Sequence, residues 1–123
     1  MWYPQISIFT GCQNNTTLIY QNICDLIRLP TYEVRQSNFH WKHSPHWEYG
    51  SLKDDFIYDS EGFDKIGYLR LNDSVNYIFV DFIPKRKGKN PPYFLAALLL
   101  IRFAVFLKKH IRGLPSEFHL SFR

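Results

Sequence analysis

The chain has 123 residues, 46% hydrophobic, 21% charged and 18% aromatic, which excludes a disordered polyelectrolyte and leaves room for one hydrophobic core. A single domain over residues 1–123 is therefore expected. The net charge of +4 hides a division: up to Asp81 there are 6 Lys+Arg against 10 Asp+Glu, and from Phe82 onward 9 against 1. Basicity gathered in one half points to a localised anion site or a partner-facing surface, since charge that served solubility alone would be scattered.

Gln5 to Thr10 alternates Ile6 and Ile8 with polar neighbours and stops at Gly11, which predicts a short strand and a turn. Asn14-Asn15-Thr16 supplies capping side chains, and Leu18, Ile19, Ile23, Leu26 and Ile27 repeat at helical spacing until Pro30, predicting a helix over residues 16 to 29. Residues 31 to 51 carry the breakers Pro45 and Gly50 and read as irregular structure with a short helix at most. Phe56-Ile57-Tyr58, Ile66 to Leu71 and Tyr77 to Ile83 are β-rich runs separated by Asp-Ser-Glu-Gly and Asn-Asp-Ser, the pattern of an antiparallel meander. Asn90 then reads as a cap with Pro91 at the first helical position, opening a helix that Gly113 and Pro115 stop near Arg112. Phe118, Leu120 and Phe122 alternate as a last strand. The expected class is α+β, with a single mixed, mostly antiparallel sheet and two main helices.

Tyr93 to Leu107 is almost wholly apolar, yet it holds Arg102 and is shorter than the roughly 20 residues a span needs. Lys85-Arg86-Lys87 and Lys108-Lys109 flank it on both sides, so no orientation is encoded. It reads as a core helix. Cys12 and Cys24 are too few to staple a secreted scaffold and lie in no metal-ligand spacing. Met1-Trp2-Tyr3-Pro4-Gln5 has neither the basic nor the apolar region of a secretory leader. The expected location is the cytoplasm.

Three groups of residues carry candidate chemistry. His40, His43 and His46 are spaced for three imidazole ligands to zinc, but Pro45 breaks the helix that would align them. They read as histidines of an aromatic cluster with Phe39, Trp41, Trp47 and Tyr49, which can also line an apolar pocket or anchor an interface, and no metal is expected. Asp81 stands alone among apolar neighbours and is either a base or a carboxylate paired with a nearby cation. The third group is Lys85, Arg86, Lys87, Gly88, Lys89 and Asn90, a basic loop between a strand and a helix start. Free N–H groups and the helix dipole bind phosphate at such a place, although the same residues also suit a solvated turn.

Strand, basic loop, apolar helix and strand in this order resemble the core of the GNAT acyltransferase superfamily, over about residues 65 to 122. Ile66-Gly67-Tyr68-Leu69 is similar to the family's preceding strand, and Phe103-Ala104-Val105-Phe106-Leu107 to its apolar helix. The family's loop reads Gln or Arg, two residues, Gly, one residue, then Gly or Ala. Lys85 to Asn90 matches it through Gly88, and another register keeps only the final Ala of Leu95-Ala96-Ala97. Pro91 and Pro92 remove two N–H donors from the cradle. The resemblance implies a GNAT-like core and an acyl-CoA cofactor held by Phe82, Ile83 and residues 85 to 90. It also implies an amine acceptor whose ammonium proton Asp81 removes, and entry of the ligand between the Asp81 strand and the final strand. The rival expectation is a non-enzymatic binder of a protein partner, such as an immunity protein that plugs a bacterial toxin, supported by the aromatic content and the split charge. Nucleic-acid binding ranks last, because the aromatics do not interleave with the basic runs.

Overall fold

A computed structural model describes residues 3–28, 40–48, 50–85, 91–111 and 119–121. In chain order they form strand β1 (Gln5–Phe9), helix α1 (Gln13–Arg28), strands β2 (Trp41–Glu48) and β3 (Ser51–Tyr58), and a 3-10 turn (Phe63–Lys65). Strands β4 (Gly67–Asp73) and β5 (Tyr77–Pro84), helix α2 (Tyr93–His110) and strand β6 (His119–Ser121) follow. The class is α+β, with one six-stranded sheet in the order β2-β3-β4-β5-β1-β6. Every pairing among the described strands is antiparallel, so the parallel component of the expected mixed sheet is not found there. The reason is the place of β1. It inserts between β5 and β6, and those two strands run parallel to each other without touching.

Alternation sorts each strand's residues between two faces. Ile6 and Ile8, Phe56, Leu69 and Leu71, and Ile78, Val80 and Phe82 point to one side and join a single core with Ile23 and Cys24 of α1 and Ala96, Leu99, Leu100, Phe103 and Leu107 of α2. Both helices therefore cover the same face of the sheet. Trp41 seals one end of this core, its ring edge-on to Phe103 at 4.9 Å and to Tyr58 at 5.0 Å. The opposite face carries no described helix.

Four differences from the sequence expectation have physical causes. The stretch expected to be irregular holds β2, because Pro45 sits on the sheet's edge strand, where one side of the backbone needs no ladder partner. Strand β3 begins at Ser51 rather than Phe56, since Asp54 and Asp55 each find polar side-chain partners, on opposite faces, described below. Helix α1 begins at Gln13, with the first bond from the Thr16 N–H to the Cys12 carbonyl at 3.0 Å, so Asn14, Asn15 and Thr16 form its first turn instead of its cap. The Thr16 hydroxyl is buried against the Thr10 hydroxyl and lies 2.9 Å from the Val75 carbonyl, pinning the helix start to the β4–β5 turn. Helix α2 takes Pro92 as its N-cap residue and starts at Tyr93, so Pro91 precedes the helix; the cap expected at Asn90 lies outside the described residues.

Gly67 opens β4 at a point where nothing larger fits. A Cβ there would stand 2.5 Å from both the Ile83 carbonyl oxygen and the Phe82 ring. The acidic and basic halves of the sequence meet nearby, where Arg102 of α2 donates to both carboxylate oxygens of Glu61, at 3.1 and 3.0 Å, and lies over the rings of Tyr58 and Phe63.

Candidate functional site

Asp81 lies on β5, on the helix-free face, in register with Arg70 of β4 and Gln5 of β1. Its Oδ1 accepts from Gln5 Nε2 at 2.6 Å and its Oδ2 from Asn72 Nδ2 at 2.9 Å. Asn72 in turn accepts from Lys53 Nζ at 3.0 Å. Both oxygens of the candidate base are thus held by amides. On the same row, Arg70 grips Asp55 through Nε at 2.8 Å and Nη2 at 3.2 Å, its guanidinium over the Tyr68 ring. Ser44, Asp55, Arg70, Asp81, Gln5 and Ser121 form one register line across all six strands. Beside it, Tyr77 and Phe79 stack nearly parallel, with Phe9 tilted against Tyr77.

Of the residues expected to bind a phosphorylated cofactor, the described ones, Phe82, Ile83 and Lys85, do not converge. Phe82 is buried on the helix side, where Tyr3 meets its ring edge-on at 4.8 Å. Ile83 points to the opposite face, paired with Tyr68. Lys85 follows the strand, with its backbone N–H on the Ile66 carbonyl and its Nζ on the Asp64 carbonyl, each at 3.2 Å. It lines an open pocket of about 250 Å³ with Lys42, Ile57, Asp59, Asp64, Gly67 and Tyr68. Arg86, Lys87, Gly88, Lys89 and Asn90 lie outside the described residues. The gap between the Asp81 strand and the final strand, by which an acyl-CoA would enter, is filled by β1, whose Ile6 pairs with Val80 on one side and Leu120 on the other.

A second polar constellation sits inside the core. Tyr20 and Cys24, four apart on α1, face the sheet together. There Asp54 of β3 accepts from the Tyr20 hydroxyl at Oδ2 and meets His43 Nε2 at Oδ1, both at 2.6 Å. Burial and the adjacent Asp54 carboxylate raise the Tyr20 pKa above the ordinary phenol value, so the hydroxyl stays a donor. One donor atom each of Cys24, His43 and Asp54 lies within 4.8 Å of the other two. Of the histidines read as part of an aromatic cluster, His40 packs edge-on against Tyr58 at 5.8 Å, and His43, on strand β2, turns inward against Phe56 at 5.2 Å; the His46 side chain lies outside the described residues. His43 instead meets residues distant in sequence. Spacing alone carried no signal for that group.

The third feature belongs to α2. Its inner side is buried, while Phe94, Leu98, Ile101 and Val105, spaced four, three and four apart, are 67%, 38%, 46% and 60% exposed. They form an apolar stripe along the outer side, with exposed Lys108 and Lys109 beyond its C-terminal end. No helix of the described residues is long and apolar enough to cross a membrane.

No protein-family model matches the chain, and no curated protein and no solved structure matches it significantly.

Proposed function

We propose that the chain is a non-enzymatic protein-binding module that docks through the outer side of α2, in the manner of a small inhibitor such as an immunity protein. The observation that carries this reading is the solvent-facing stripe Phe94, Leu98, Ile101 and Val105. A helix apolar on all sides is ordinarily covered on all sides, and contiguous exposed apolar surface marks an interaction site. Lys108 and Lys109 at the stripe's end favour a partner that offers an apolar groove with an acidic rim. Neither Cys12 nor Cys24 forms a disulfide, which supports a reducing compartment, and we place the chain in the cytoplasm.

Acyl transfer from an acyl-CoA to an amine is the reading we rank second. In its favour, Lys85 and Lys42 line one pocket with Tyr68, although Asp59 of the same pocket pairs with Lys42 at 2.5 Å. Against it stand the occupied Asp81 oxygens and the position of β1 between β5 and β6.

A photo-crosslinking residue at Ile101, introduced in the native host, tests the docking face. The expected result is one adduct with a different protein, lost in a folded Leu98→Glu variant. Absence of an adduct, an adduct with a second copy of the chain, or turnover of acetyl-CoA by the purified protein would each overturn the proposal. Calorimetric titration with coenzyme A separates the readings: no heat at millimolar ligand is expected, and saturable binding would favour acyl transfer.

A further inference from the structure

We infer that Cys24, His43 and Asp54 form a zinc site that ties α1 to the β2–β3 hairpin. The three residues come from three separate elements, and their donor atoms converge within 4.8 Å in a region where Cys24 and Asp54 are 3% and 7% exposed. Tetrahedral zinc, with bonds of about 2.3 Å to sulfur and 2.0–2.2 Å to nitrogen and oxygen, separates its donors by about 3.3–3.6 Å. The thiol draws inward to reach that geometry, and the His43–Asp54 contact of 2.6 Å opens to admit the ion.

The donor set selects the metal. Thiolate with imidazole and one carboxylate suits Zn²⁺, whereas Mg²⁺ and Ca²⁺ require shells of oxygen. Charge agrees: the Cys24 thiolate and the Asp54 carboxylate cancel the two charges of the ion, so the loaded cluster buries no net charge. Binding releases the thiol proton to solvent. The surroundings already provide what a ligating carboxylate needs. Tyr20 donates to Oδ2, the oxygen that His43 leaves open, and so fixes the direction in which Oδ1 points. The His43 ring lies against Phe56, 5.2 Å between centroids, which limits its rotation. The fourth position has no Cys, His or carboxylate ligand among the described residues and is left to water.

A Cys-His-Asp set also occurs in thiol catalysis, where the base activates the sulfur. Here the sulfur belongs to a residue 3% exposed, facing the sheet from inside a helix, and an acyl carbonyl has no route to it. The site is structural, and it stands apart from the docking face proposed for α2.

The test uses the full chain with Co²⁺ as a spectroscopic substitute for zinc. One equivalent of Co²⁺ is expected to give tetrahedral ligand-field bands and a thiolate-to-cobalt charge-transfer band, both removed by added Zn²⁺, and Zn²⁺ is expected to raise Tm. Cys24→Ser should abolish the charge-transfer band and weaken zinc binding by about tenfold or more, while Cys12→Ser changes neither. The inference fails if the cobalt spectrum stays that of the aqueous ion, or if the band survives Cys24→Ser. Should Cys24→Ser not fold, alkylation of the wild-type chain in mild denaturant decides: zinc slowing modification of Cys24 but not of Cys12 supports the site, and equal rates overturn it.

Discussion

The Tyr20 hydroxyl and the Asp54 carboxylate meet at 2.6 Å across the interface between α1 and β3, inside a core whose other members are almost all apolar. Removing one partner of such a pair costs more than the bond itself contributes, because the other keeps its desolvation penalty. Tyr20→Phe is therefore expected to destabilise the chain by about 1–3 kcal/mol. A urea titration should show a lower midpoint with an unchanged slope.

Gly67→Ala should be more damaging than its single methyl group implies. The new Cβ would lie 2.5 Å from a backbone carbonyl oxygen of β5 and from the Phe82 ring, and backbone cannot yield as a flexible side chain does. Overpacking of this kind costs about 1–3 kcal/mol. Thermal unfolding should register it as a clear drop in Tm, whereas Gly→Ala in a freely accessible strand position would stabilise.

Asp81 makes a sharp prediction because a base and a structural acceptor respond differently to replacement. Asp81→Asn places an amide donor against the amides of Gln5 and Asn72 and is expected to lower stability by about 1–2 kcal/mol. Combined with Asn72→Ala, the losses should be less than additive, as a double-mutant cycle would reveal. Full additivity would show that the two side chains act independently.

The Arg102–Glu61 pair sets a pH dependence. Its hydrogen bonds from Arg102 hold the Glu61 carboxyl below the ordinary glutamate range. A depressed folded-state pKa means that the pair's contribution is present above the unfolded-state pKa and fades as pH falls through the folded-state value. The Tm difference between wild type and Glu61→Gln should accordingly be largest near neutrality and shrink in acid. High salt should shrink it as well, since Glu61 faces solvent.

Periodicity made most elements legible, and local chemistry explains where it failed. Ile6 and Ile8, the Tyr77 to Ile83 run and the α2 region announced themselves because alternation or continuous apolarity follows directly from burial. Strand β2 was hidden by Pro45, whose effect depends on whether the strand is at an edge, a fact of tertiary arrangement. Asp54 and Asp55 looked unlike strand residues because their partners, Tyr20, His43 and Arg70, lie 11 to 34 positions away in sequence. The Cys24, His43 and Asp54 cluster was invisible for the same reason, being assembled by three elements rather than by a motif. The apolarity of α2 was evident, but which of its sides meets water is decided only by the direction in which the sheet lies.

The insertion of β1 between β5 and β6 also governs how the chain can assemble. Ile6 must find Val80 and Leu120, so β1 waits, half-paired at best, for a strand that lies 114 positions further along the chain. Pairings so distant in sequence carry a large loop-closure entropy and slow the approach to the native state. Until β6 docks, β1 offers an open backbone edge of its own. That interval is the time at which a nascent chain of this topology most needs shielding from other copies of itself.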